Sequence, residues 1–194
     1  MDTVDKGDWM LKERDADDTA PSGDDIVRLD EHIIELLSDS GAGAQKCAQP
    51  LAAIAARMGN GVWTTEIIPA EIQPPARSIE GASGNRIRLA THAISNGGDL
   101  TDLVVAFNEQ VLIGRVRTGE LKPHCTIILE DKWRHDKDPS IVASYIKESD
   151  ELIRDGYNVH EVSMEQECIK LVRAQRKRKN MLMRADGSAI ANVD

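Results

Sequence analysis

Two apolar runs constrain this chain more than anything else in it. Leu103-Val104-Val105-Ala106-Phe107 and Cys125-Thr126-Ile127-Ile128-Leu129 are apolar at almost every consecutive position, so neither run has a polar face to turn toward water. That is the pattern of parallel strands covered on both sides. Parallel neighbours need a crossover between them, usually a helix, and the stretch between the runs supplies one: Asn108 and Glu109, then a short helix through Leu112 and Val116 that stops at Gly119. The same rhythm extends in both directions. His32 to Leu37 reads as a strand, and Ala44 to Met58 as a helix that Gly59-Asn60-Gly61 stops. Pro50 either kinks that helix or sets its first turn. Val62 to Ile68 alternates as a strand. A long Pro- and Gly-containing loop follows over Pro69 to Gly84, then a strand over Asn85 to Leu89 with Arg86 and Arg88 on a wet side. Asp138-Pro139 opens a helix closing at Gly156, Tyr157 to Val162 alternates again, and Ser163 with Gln166 forms a capping box for a last helix. Strands alternating with helices specify a three-layer α/β domain, its mainly parallel sheet covered by helices on both faces.

Composition narrows the function. Aromatic residues make up 3% of the 194, so the core is aliphatic and the stacking platforms of single-strand binding are missing. No nucleic-acid partner is expected. No run of eighteen apolar residues occurs, so no membrane-spanning helix is expected either. The N-terminus opens Met-Asp-Thr-Val-Asp, unlike a secretion signal, and the three cysteines (Cys47, Cys125, Cys168) have no framework or cluster spacing. A cytoplasmic protein with reduced thiols is the expectation. Residues 1–31 hold eleven Asp/Glu against four Lys/Arg, which is -7 of the net -9. Residues 1–25 therefore read as an acidic mobile tail. The basic cluster Arg173, Arg176, Lys177, Arg178, Lys179 and Arg184 reads as the solvated end of a helix.

In such a sheet, ligands bind beyond the carboxyl ends of the strands. Ser40-Gly41-Ala42-Gly43-Ala44-Gln45 stands there after the first strand. Its small residues let backbone amides approach a phosphate at a helix N-terminus, but it is neither GxGxxG nor a P-loop. Two readings stay open: a phosphate cradle, or a tight turn that serves packing. The five histidines are scattered without ligand spacing, so no metal site is expected. Trp133 to Asp138 reads as a solvated charged turn, Cys47 as a packed thiol. No catalytic residues are expected on this chain, since no nucleophile-base set is present.

Taken in order, Ser40 to Gln45, Thr64-Thr65-Glu66-Ile67-Ile68-Pro69, Gly81-Ala82-Ser83-Gly84-Asn85-Arg86-Ile87, Leu103 to Gln110, Gly119-Glu120-Leu121-Lys122-Pro123, Val159-His160-Glu161-Val162 and Lys179-Asn180-Met181 resemble the gamma-type domain of the thiamine-diphosphate-dependent 2-oxoacid:acceptor oxidoreductases. The version resembled most is the N-terminal part of the alpha subunit of 2-oxoglutarate:ferredoxin oxidoreductases. The resemblance implies a Rossmann-like domain over residues 26–181, with a C-terminal tail over 182–194. It implies a subunit or domain of an enzyme that decarboxylates a 2-oxoacid, such as 2-oxoglutarate or pyruvate, to an acyl-CoA. Thiamine diphosphate, iron-sulfur clusters and coenzyme A belong to that complex, none of them bound by this chain alone. Its partners would be the other subunits and, indirectly, ferredoxin. The resemblance also implies that Ser40, Gly41, Ala42, Gly43, Ala44 and Gln45 face a phosphate-bearing ligand or a partner domain, with Arg77 and Asn108 on neighbouring loops. The large catalytic region that follows in the alpha subunit is absent from this sequence, and the acidic N-terminal segment is extra to the family pattern. The rival readings are an independent Rossmann-like module holding a nucleotide or coenzyme A, and a truncated, inactive fragment.

Overall fold

The computed structural model describes residues 27–71 and 73–185; the acidic segment 1–25 and residues 186–194 lie outside the described residues. Among the described residues six strands and four α-helices follow one another as β1 (Glu31–Asp39), α1 (Ala44–Arg57), β2 (Gly61–Ile67), β3 (Ala82–Ala90), β4 (Thr101–Ala106), α2 (Gln110–Arg117), β5 (Leu121–Glu130), α3 (Pro139–Arg154), β6 (Asn158–Val162) and α4 (Met164–Ala185). The strands form one sheet in the order β2-β3-β1-β4-β5-β6. β1, β4, β5 and β6 pair in parallel, while β3 runs against both of its neighbours. This is the three-layer, mainly parallel architecture expected from the alternation. β3 escapes that direction because the segment joining it to β2 contains no helix to carry the chain back.

The two faces are built differently. On one face α1 lies over β1 and β3, burying Ala44, Ala48 and Ala52 against Ile34, Leu36 and Ile87. Alanine at four-residue spacing gives that helix a flat, small contact stripe. Pro50 sits inside α1 on its exposed side, and the helix continues through it. On the other face α2 and α3 bury Val111, Leu112, Tyr145 and Leu152 against Leu37, Val104, Ala106, Ile127 and Leu129. From β1 the chain crosses by α1 toward β2, and from β4 it crosses by α2 toward β5. The crossover direction therefore reverses between β1 and β4, and such a reversal opens a crevice at the carboxyl ends of the two strands.

Several expectations change. Arg86 and Arg88 do not face water. Arg86 Nε donates to Glu35 Oε1 at 2.8 Å, and Arg88 Nη2 donates to Glu31 Oε2 at 2.6 Å, under the 96–99 loop. Neighbouring β1 supplies carboxylates opposite the arginines, which a reading of β3 alone could not see. β5 begins at Leu121, four residues before the apolar run that opens at Cys125. The register with β4 jumps between the Thr101–Leu121 and Leu103–Thr126 pairs, and the extra length is taken up around His124, whose φ is 61°. The long loop ends at Gly81 because Ala82 already pairs with Asp39. The capping box does not form: Ser163 Oγ donates to Asp131 Oδ2 at 2.5 Å, and the first turn of α4 is held by Glu130, whose Oε2 accepts from the Glu165 amide at 2.8 Å.

A neutral quartet of charged groups sits on the α2 face. Glu35 is fully buried; besides Arg86, it meets Arg115 Nε 3.3 Å from its Oε2, and both arginines also reach Glu120. The quartet ties β1, β3, α2 and the α2–β5 turn together. Removing one partner of such a group leaves uncompensated charge in the interior. Glu35→Ala is expected to cost about 3 kcal/mol, read as a lower urea midpoint with an unchanged slope. An unaltered midpoint would show that the quartet contributes no net stability.

Candidate functional site

The crevice between β1 and β4 opens into a cavity of about 490 Å³, walled mainly by apolar groups. Ala42 and Asp39 come from the end of β1, Phe107 and Asn108 from the end of β4, and Trp133 from the short 3-10 turn after β5. Cys47 on α1 and Met164, Cys168 and Ile169 on α4 form the far side. Its position follows from topology: the first turns of α1 and α4 both start from this rim of the sheet.

The turn expected to face a ligand is at the rim. Gly41 and Gly43 adopt φ of 83° and 98°, a region other residues enter only with strain. Gly43 is the N-cap of α1, so Ala44 and Gln45 already belong to the helix. Not all six amides are available to a ligand. The Ser40 amide donates to Gly81 O at 3.1 Å and the Ala42 amide to Asp39 O at 3.0 Å. Asn85 Nδ2 donates to Gln45 O at 3.3 Å, fixing the helix start against β3.

Arg77 and Asn108 approach the same rim, as expected, but each is engaged. Arg77 holds a left-handed φ of 53°. Its amide donates to Asp39 Oδ1 at 3.0 Å, its guanidinium pairs with Glu109, and the same group stacks 4.3 Å over the Trp133 ring. Asn108 is buried and its Oδ1 accepts from the Val111 amide at 3.2 Å, which satisfies one of the open donors at the start of α2. Trp133 in turn donates its indole N–H to Phe107 O at 2.7 Å. The segment Trp133 to Asp138 is thus no simple solvated turn. Its tryptophan is half-buried and braces two loops, while Arg134 Nε donates to Glu161 Oε2 at 2.8 Å.

Glu109, Glu130 and Trp133 are the residues that sequence reasoning missed. Glu109 and Glu130 are buried carboxylates at strand ends, and each satisfies donors on another element. The available signal was an acidic residue directly after an apolar run. Among the described residues no group of three or more His, Cys, Asp or Glu could hold a metal ion. The carboxylates of Asp39, Glu109 and Glu130 each accept from an internal donor.

No family model matches the chain. A stretch of 97 residues, 50% of this chain, is 35% identical to part of the 2-oxoglutarate oxidoreductase subunit KorA of Mycobacterium tuberculosis. The chain spans only 14% of that subunit's length. Among solved structures, 2-oxoglutarate:ferredoxin oxidoreductase from Magnetococcus marinus, with 2-oxoglutarate, coenzyme A and succinyl-CoA bound, is similar at a TM-score of 0.51. The identity there is 21%, over 72% of this chain and 21% of the relative. The gamma subunit of the keto/oxoacid ferredoxin oxidoreductase from Geobacter sulfurreducens aligns at a TM-score of 0.46 and 12% identity, over 69% of this chain and 61% of that subunit. This chain is therefore homologous to part of KorA and shares the fold found in a 2-oxoglutarate:ferredoxin oxidoreductase. Among the described residues, no helix is long and apolar enough to cross a membrane.

Two measurements check the site. Burial pushes the Cys125 thiol up to about 12, whereas Cys47 and Cys168 are exposed. Iodoacetamide at about pH 8 is expected to label Cys47 and Cys168 in the native chain and Cys125 only after denaturation, since the thiolate is the nucleophile. Mass spectrometry of the labelled peptides decides it. Secondly, Arg134 holds the Glu161 carboxyl below its ordinary range, helped by a hydrogen bond from Ser149. A lowered folded-state value stabilises above the unfolded carboxylate value of about 4.3 and is lost as pH falls through the folded value. Arg134→Met is therefore expected to be less stable than the parent at neutral pH, with the gap closing below about pH 4. A gap independent of pH would attribute the loss to packing alone.

Proposed function

We propose that this chain is a gamma-type domain or subunit of a thiamine-diphosphate-dependent 2-oxoacid:ferredoxin oxidoreductase, related most closely to the N-terminal part of an alpha subunit. The observation that carries this reading is the 35% identity to KorA over 97 residues. The domain would span residues 26–181, and its role would be assembly and part of the coenzyme A region, with oxidative decarboxylation performed on partner subunits. The committed carboxylates at the rim suit that division, because a chain without a poised base or nucleophile binds but does not turn over an oxoacid.

The residues fit an acyl-carrier ligand in part. Ala42 brings the Ser40–Gln45 turn into the wall of an apolar cavity, and the start of α1 offers a favourable field to an anion. Arg77 is less suited to meeting a phosphate directly, since Glu109 and Trp133 hold its guanidinium; its role would be to fix the 68–81 loop. Asn108 would shape the cavity floor while capping α2. When bound, coenzyme A would supply the thiol that accepts the acyl group, and this chain would orient the carrier.

The test is co-expression with the thiamine-binding subunit of a 2-oxoacid:ferredoxin oxidoreductase from the same genome. The expected result is a complex of defined stoichiometry that carries clusters and turns over a 2-oxoacid, with no turnover by either piece alone. Turnover by this chain on its own would overturn the reading. Micromolar binding of coenzyme A without any complex would favour the independent module instead.

A further inference from the structure

The start of α4 is tied to the domain. Glu130 accepts from the Glu165 amide there, and the Glu167 amide donates to Ser163 O at 3.0 Å. From Glu165 to Arg176 every residue is exposed, including the apolar Ile169, Leu171 and Val172, with Leu171 at 66%. Arg173 and Arg176 lie exposed beside them. In the sequence, residues 168–185 contain seven Lys/Arg and no Asp/Glu, a charge of +7. Residues 1–26 carry nine Asp/Glu and three Lys/Arg, a charge of -6. The acidic segment also holds one apolar cluster, Trp9-Met10-Leu11, flanked by Asp8, Glu13 and Asp15.

We infer that the acidic N-terminal segment of this chain, centred on residues 5–18, docks on the exposed face of α4, Trp9 to Leu11 covering Leu171 and Val172 and the carboxylates facing Arg173 and Arg176. This goes beyond the family reading and does not depend on it. The two partners are opposite in sign, similar in magnitude and carry one apolar cluster each. Reach is ample: the 26 residues preceding the described chain span up to about 85 Å extended, against about 33 Å for a 22-residue helix. Tethering holds the segment at an effective concentration in the millimolar range. The net charge of -9 disfavours an external polyanion on the same helix.

Carbodiimide cross-linking of the full chain, followed by mass spectrometry of the monomeric fraction, tests this. Carboxylates within residues 2–18 are expected to join Lys170, Lys177 or Lys179, with yield falling about tenfold between low salt and about 0.5 M salt. In the variant D5N/D8N/D15N/D17N/D18N, with its circular dichroism unchanged, amides of residues 168–176 are expected to exchange faster. The variant should also bind a duplex oligonucleotide or anionic vesicles about tenfold more tightly than the parent. Absent intramolecular cross-links would overturn the inference. So would links confined to dimers, which indicate a second copy as occupant, or a parent chain that binds either polyanion as tightly as the variant.

Discussion

A carboxylate removed from water holds the functional rim together. Glu109 is fully buried where β4 passes into α2, and burying a charge is tolerable only when a partner and hydrogen bonds offset the lost hydration. Arg77 provides the partner, which pulls the 68–81 loop across the ends of β1 and β4. The flat guanidinium then stacks on Trp133 from a third loop, and the tryptophan bonds back to Phe107 beside Glu109. Three loops distant in sequence thus share one charge, and the cavity takes its shape from that bracket. The left-handed backbone of Arg77 is the cost of the arrangement, borne because Asp39 and Glu109 fix both its amide and its side chain.

Glu130 applies the same device one strand further along. Its carboxylate accepts from the Lys132 and Glu165 amides, so it orders the turn that presents Trp133 and the first turn of α4 together. The cavity therefore sits between elements whose positions are set by acids at strand ends, and not by the small-residue turn alone. That turn contributes shape: its two left-handed glycines let α1 start immediately beside β1. The same use of buried acids by internal donors fixes the geometry of the rim.

Much of the fold was legible because it rests on patterns local to each segment. The double-sided apolar runs of β4 and β5, the small-residue stripe of α1 and the three-and-four spacing of α3 report their environment residue by residue. The turn at 40–45 was placed correctly for the same reason, since a strand, two glycines and a helix start follow in order. The errors share one origin. Arg86 and Arg88 looked wet, Ser163 looked like a capping side chain, and the Trp133 segment looked like open surface, each judged without the residue that meets it across the sheet. Glu35, Asp131 and Phe107 lie 51, 32 and 26 positions away from those partners.

The sequence by itself determined the alternation of strands and helices, the direction of most strands and the sheet edge at which the small-residue turn lies, because hydrophobic periodicity is written over a few consecutive residues. Tertiary structure alone decided which acids would be buried, which arginines would satisfy them and how wide the cavity between β1 and β4 would be. Charge pairing inside a protein depends on distances in space, and the strand order β2-β3-β1-β4-β5-β6 that creates those distances appears in no single stretch of chain.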